Sequence, residues 1–139
     1  MSHYTRVSTT LCDAELIAAA LRATGFPDVE LHDTPQPLRG FAGGGRYAAE
    51  IVVRRGHAGK GRSALADFGF VRRPNGSFEA IVDDWDRRAL GSDWMSRLTQ
   101  AYGYAAALRY AELHGYEVDI DEMEADGTRR LTMRRTRYS

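Results

Sequence analysis

The sequence predicts an α+β fold: a two-layer sandwich in which a mainly antiparallel sheet of about six or seven strands carries two helices on one face. Three observations point there. Residues 92–114 read as one long helix, because Trp94, Leu98, Ala101, Ala105 and Leu108 recur every three or four positions. Strand-like runs flank Asn75-Gly76 and Asp126-Gly127, dipeptides that favour hairpin turns. A second amphipathic stretch, 11–25, lies between runs rich in alternating apolar residues.

The elements follow in order. Residues 4–11 are rich in β-branched side chains and read as a first strand. The helix at 11–25 starts with Cys12 at the N-cap and Glu15 three residues on, with Leu11 and Leu16 placed to form a hydrophobic staple. Leu16, Ile17, Ala20 and Leu21 form its buried face, and Gly25 ends it. Val29 and Leu31 alternate with polar residues in an edge strand. Two flexible Gly/Arg-rich loops are expected, at 33–46 (Pro35, Pro37, Gly40, then Gly43 to Gly45) and at 55–63 (Gly56, Gly59, Lys60, Gly61, Arg62). A strand at 47–54 separates them. Residues 67–72 and 78–84 pair around Asn75-Gly76. The long helix takes Ser92 as N-cap, Asp93 in its first turn and Gly115 as its left-handed terminus. Strands at 116–123 and 129–135 close the chain, with Val118 and Ile120 pairing inward with Leu131 and Met133. Residues 1–139 form a single domain without internal repeat.

Composition narrows the function. The formal net charge is zero, which disfavours a dedicated nucleic-acid or membrane-surface binder acting through bulk charge. All but one of the 19 basic residues are arginine, the exception being Lys60; a GC-rich genome explains this, and phosphate or carboxylate recognition is the alternative. A single cysteine, Cys12, excludes an internal disulfide and a cysteine-based zinc site, and is read as structural. No apolar run is long enough to cross a bilayer, so the expected compartment is the cytoplasm.

Four groups of residues are candidates for chemistry. Asp83, Asp84, Asp86 and Asp93 cluster around Trp85 and Trp94, and carboxylates so placed would bind a divalent cation or another ligand. The simpler reading leaves them as helix-start and solvated acids, and their spacing fits no calcium-loop template. Ser2 and His3 form a candidate N-terminal site, as chelator or, after loss of Met1, as nucleophile, although no paired base is identifiable. The Gly/Arg-rich loops lack phosphate-loop spacing; Arg54, Arg55, Lys60 and Arg62 would support at most weak RNA contact. Tyr110 lies nearly opposite the apolar stripe of the long helix and is a candidate partner contact, as are Arg134, Arg135 and Arg137 if the last hairpin is a free edge. Arginines 129, 130, 134 and 135 otherwise pair across the hairpin with Asp119, Asp121, Glu122 and Glu124. No catalytic set, metal centre or cofactor emerges.

Several short motifs also resemble one family. They are Ser2-His3-Tyr4-Thr5, Asp13-Ala14-Glu15-Leu16, Asn75-Gly76 followed by Val82-Asp83-Asp84-Trp85, the run Leu98-Thr99-Gln100-Ala101-Tyr102-Gly103-Tyr104, and the closing Gly115-Tyr116 with Asp126-Gly127. Together they are similar to the family typified by the hypothetical chloroplast reading frame thirty-five protein of plastids, cyanobacteria and other bacteria. Residues 40–63 depart from that pattern in being longer and richer in Gly and Arg. The resemblance implies a small accessory protein, encoded near AAA-type ATPases and other small proteins. The expectation is therefore a non-enzymatic adaptor that binds a protein partner, an AAA-type ATPase or a small companion, with a homo-oligomer left open. A metal-dependent enzyme or ligand binder built on the Asp83–Asp93 cluster is the first alternative, and weak RNA binding the second.

Overall fold

The computed structural model describes residues 4–39, 47–56, 66–125 and 128–135. Its elements are β1 (Tyr4–Ser8), α1 (Ala14–Ala23), β2 (Glu30–Leu38), β3 (Tyr47–Val53), β4 (Phe68–Arg72), β5 (Phe78–Asp83), α2 (Asp84–Leu90), α3 (Trp94–Leu113), β6 (Tyr116–Met123) and β7 (Arg129–Arg135). Every pairing is antiparallel. The seven strands do not share one sheet, however. Five run in the order β1-β5-β4-β3-β2, while β6 and β7 form a separate hairpin.

Chain geometry explains the division. α3 ends at Leu113 and β6 begins at Tyr116, so Gly115, at φ 71°, must reverse the chain within two residues. The hairpin consequently lies against α3 rather than returning to the sheet. The sheet also offers it little at the far edge: β2 carries Pro35 and Pro37, which donate no ladder hydrogen bond. Those prolines lie inside a strand, so the loop expected at 33–46 begins only after Leu38. The strand accommodates them by breaking register, with Leu31 opposite Ile51 and then Gln36 opposite Ala49. Residues 40–46 and 57–63 of the two expected loops lie outside the described residues.

Both α1 and α3 cover one face of the sheet. Ile17, Ala20 and Leu21 of α1, with Trp94 and Leu98 of α3, meet Ile51, Val53, Phe68, Phe70, Phe78, Ala80 and Val82 in the main core. Phe68 stands edge-on to Phe26 (centroids 5.1 Å apart) and to Trp94 (5.8 Å), the arrangement ring quadrupoles favour. The opposite face holds a smaller cluster of Leu38, Ala49, Val52 and Ile81, with Tyr4 and Tyr47 against it.

Two helix starts differ from expectation. Asp13, not Cys12, caps α1, its carboxylate accepting the Leu16 N–H at 3.1 Å; aspartate is much the better cap. α3 starts at Trp94 behind Asp93, which makes no side-chain cap bond, and Ser92 lies in the preceding turn. α2 was not expected at all. Asp83 caps it, Asp84 and Asp86 fill its first turn, Arg87 and Arg88 its last, and Gly91 (φ 98°) ends it.

Candidate partner-binding surface

The last turn of α3 and the start of β6 bring aromatic and basic side chains together at one end of the molecule. Tyr110 and His114 are four residues apart on α3, so they share a face, and their rings lie 4.2 Å apart. The reversal at Gly115 then lays Tyr116 alongside, its ring stacked 6.0 Å from that of Tyr110. Antiparallel pairing sets Arg135 opposite Tyr116 and Arg134 opposite Glu117. Of the residues expected from sequence to contact a partner, Tyr110 lies here with Arg135 across from Tyr116, whereas Arg134, the adjacent strand residue, faces the other side of the hairpin with Glu117. Arg137, also expected, lies outside the described residues.

Large apolar side chains are exposed on this surface. Leu113 is 72% exposed, Tyr110 54% and Val118 38%. A leucine on the last turn of a helix that faces water gains nothing from burial in this chain. The two arginines differ. Arg134 donates to Glu117 Oε2 at 2.8 Å, whereas Arg135 makes no ion pair among the described residues. His114 and Tyr116 belong to this surface too, and no sequence motif pointed to them.

The hairpin is held on α3 further along. Asp121 accepts from the Tyr104 hydroxyl at 2.7 Å and from Arg129 Nε at 2.8 Å, while the Arg129 guanidinium lies 3.9 Å over the Tyr104 ring. The Arg129 hydrogen bond, helped by Tyr104, holds the Asp121 carboxyl below its usual range, and the bond to Asp121 pushes the Tyr104 hydroxyl up. A bulge makes this possible. Val118 pairs with Met133 as expected, but after one extra residue on β6 Ile120 pairs with Thr132 and Asp121 with Leu131.

The acids at 83–93 scatter rather than cluster. Asp83 Oδ2 accepts the Trp85 N–H at 3.0 Å, and Asp86 Oδ2 the Ala66 N–H at 2.9 Å; both side chains are buried. Asp84 instead takes a short hydrogen bond from the Thr5 hydroxyl. Asp93 is exposed, 3.4 Å from Arg97 Nε, and Trp85 is 60% exposed beneath Arg88. Among the described residues no group of three His, Cys, Asp or Glu side chains is placed to hold a metal ion. Among the described residues, Asp83 Oδ1 is buried without a hydrogen-bond partner.

A buried acid that the sequence did not single out does most to organise this end of the sheet. Asp67 accepts the backbone N–H of Arg55 at 2.8 Å on Oδ1, and on Oδ2 the N–H of Arg39 at 2.8 Å and Arg54 Nη1 at 2.9 Å. It therefore joins three separated parts of the chain. The Tyr4 hydroxyl donates to its carbonyl at 2.8 Å. Burial pushes the Tyr4 hydroxyl well up, and the charges of Asp67, Asp83 and Asp86 push it further against the pull of Arg55. Arg54 also pairs with Glu30 at 3.1 Å, so this candidate for RNA contact is already engaged within the fold. Lys60, Arg62, Ser2 and His3 lie outside the described residues.

Comparison with known proteins adds kinship. The family described as "Protein of unknown function (DUF1257)" matches residues 23–132. The chain is similar to the uncharacterized protein ycf35 of Cyanophora paradoxa, 26% identical over 140 residues that span 99% of this chain and 100% of the relative. No solved structure matches it.

Proposed function

This chain belongs to the DUF1257 family of proteins of unknown function, and we propose that it is a non-enzymatic accessory protein that docks a protein partner on the end of α3 and its hairpin. The single observation that carries this reading is the joint exposure of Leu113, Tyr110 and Val118 beside Arg135. Buried aromatic and apolar anchors with an adjacent arginine are the usual energetic centre of a protein interface. An AAA-type ATPase, implied by the family resemblance, is the first candidate partner, and the cytoplasm the proposed compartment. No helix among the described residues is long and apolar enough to cross a membrane. The test is co-purification of the tagged wild-type chain and a Tyr110→Ser, Leu113→Ser variant: a stoichiometric partner retained only by the wild type supports docking here. Self-association lost in the same variant would identify the partner as a second copy.

One observation favours a second reading, a divalent-cation or ligand contact at Asp83. Asp83 Oδ1, buried and without a partner among the described residues, is an acceptor that a positive neighbour would satisfy. Calorimetric titration with magnesium, manganese and calcium tests it; no heat with any of the three removes it.

A further inference from the structure

The five-stranded sheet has two edges, and they are not equivalent. β2 is blunted by two prolines and a broken register. β1 contains no proline and pairs with β5 in unbroken register from Tyr4 opposite Asp83 to Ser8 opposite Glu79. Among the described residues its outer edge meets no strand. In an antiparallel ladder alternate residues of such a strand aim their N–H and C=O groups outward, so β1 is a ready template for another extended chain.

A groove runs beside that edge. It encloses about 580 Å³ between Thr5 and Val7 of β1 and Arg87, Arg88, Trp94 and Met95 of the helices. Trp94 lines it, and the buried indole N–H of Trp94 has no hydrogen-bond partner among the described residues. Its rim is basic. Arg87 makes no ion pair among the described residues, and Arg88 lies 5.5 Å over the exposed Trp85 ring rather than on a carboxylate. Asp84, also in the lining, is occupied by the Thr5 hydroxyl.

We propose that the β1 edge accepts an extended, acidic segment of a partner protein as a sixth strand, its carboxylates held by Arg87 and Arg88 over the groove. Charge decides between this occupant and a second copy of the chain. Antiparallel self-pairing centred on β1 sets Arg6, which shares the single carboxylate of Glu79 with Arg73, against its own counterpart, so net like charge is brought together. An acidic strand meets the two rim arginines instead, and bidentate guanidinium–carboxylate bonds add to the backbone ladder. This surface is separate from the aromatic end of α3, so each stands or falls alone.

The probe is a peptide selected from a displayed random library on the full chain, then synthesised and measured by fluorescence anisotropy. The expected binder alternates acidic and apolar residues and slows amide exchange at Tyr4–Ser8. Its affinity falls about tenfold or more for Arg87→Ala, Arg88→Ala, as loss of a charge-assisted bond requires, and is abolished when its alternate backbone amides are N-methylated. Both arginine side chains are exposed, so that variant keeps the fold, which circular dichroism checks. Three results overturn the proposal: no selected binder, equal binding by an N-methylated or scrambled peptide, or undiminished binding to Arg87→Glu, Arg88→Glu.

Discussion

Arg109 of α3 donates to Asp13 Oδ2 across 2.6 Å, joining the C-terminal part of the long helix to the residue that caps α1. Asp13 Oδ1 simultaneously accepts the Leu16 N–H, so one carboxylate closes a helix and ties two helices together. Asp13→Ala is expected to cost about 1–2 kcal/mol, most of it the lost cap. The ion pair itself adds little, because both side chains are partly in water.

The pH dependence of that loss has a definite sign. The Arg109 hydrogen bond holds the Asp13 carboxyl below its ordinary value of 3.8. A group with a depressed folded-state pKa stabilises the fold above its unfolded value and loses that contribution as pH falls through the folded one. The stability gap between wild type and Asp13→Asn is therefore expected to be widest near neutrality and to shrink below about pH 4. Urea unfolding at neutral pH and near pH 3 measures it, and an unchanged gap would show that the ion pair is irrelevant.

Asp67→Ala is expected to be far more damaging. It strips the acceptor from two backbone N–H groups and one guanidinium around a site that is 1% exposed. Two unpaired backbone donors at such a site together cost about 2–5 kcal/mol, while Arg54 keeps its pair with Glu30. Denaturant unfolding reads the loss, and hydrogen exchange should quicken at Arg39 and Arg55 first. A loss under about 1 kcal/mol would contradict this account.

Two glycine-to-alanine changes should move stability in opposite directions. A Cβ at Gly69 would run into the Ile51 carbonyl and approach the Ala49 Cβ to 2.9 Å, so β3 and β4 would have to separate. Gly69→Ala is expected to destabilise by about 2–3 kcal/mol. At Gly103, inside α3, a Cβ meets nothing within 4 Å, and alanine there should stabilise by about 0.5–1 kcal/mol. Thermal melts of the two variants check the contrast.

Local signals in the sequence were sufficient for most of the fold. The bounds of β6 and β7 follow from alternation, and the β4–β5 hairpin from Asn75-Gly76, where Gly76 takes φ 89° and Asn75 accepts from Ser77 N–H at 3.0 Å. α2 was legible but misread. Acids at 83–86, arginines at 87 and 88 and Gly91 are the start and stop of a short helix, and grouping the acids as a cation site obscured it. The independence of the β6–β7 hairpin depends on the direction in which α3 carries the chain, which no local pattern encodes. Asp67 was hidden for a similar reason. Its three donors come from Arg39, Arg54 and Arg55, and only the folded sheet brings them to one carboxylate. Tyr110 and Arg135 were each singled out from their own element, but what brings them near is the reversal at Gly115, which lays Tyr116, the strand partner of Arg135, on Tyr110.

The most direct test of the docking surface is affinity co-purification of the wild-type chain beside Tyr110→Ser, Leu113→Ser, with an Arg22→Ser variant on exposed α1 surface as control. The account predicts that wild type and control retain the same stoichiometric protein, and that the double variant, folded by circular dichroism, releases it. A wild-type chain that purifies alone and monomeric, or a double variant that keeps its partner, would contradict it.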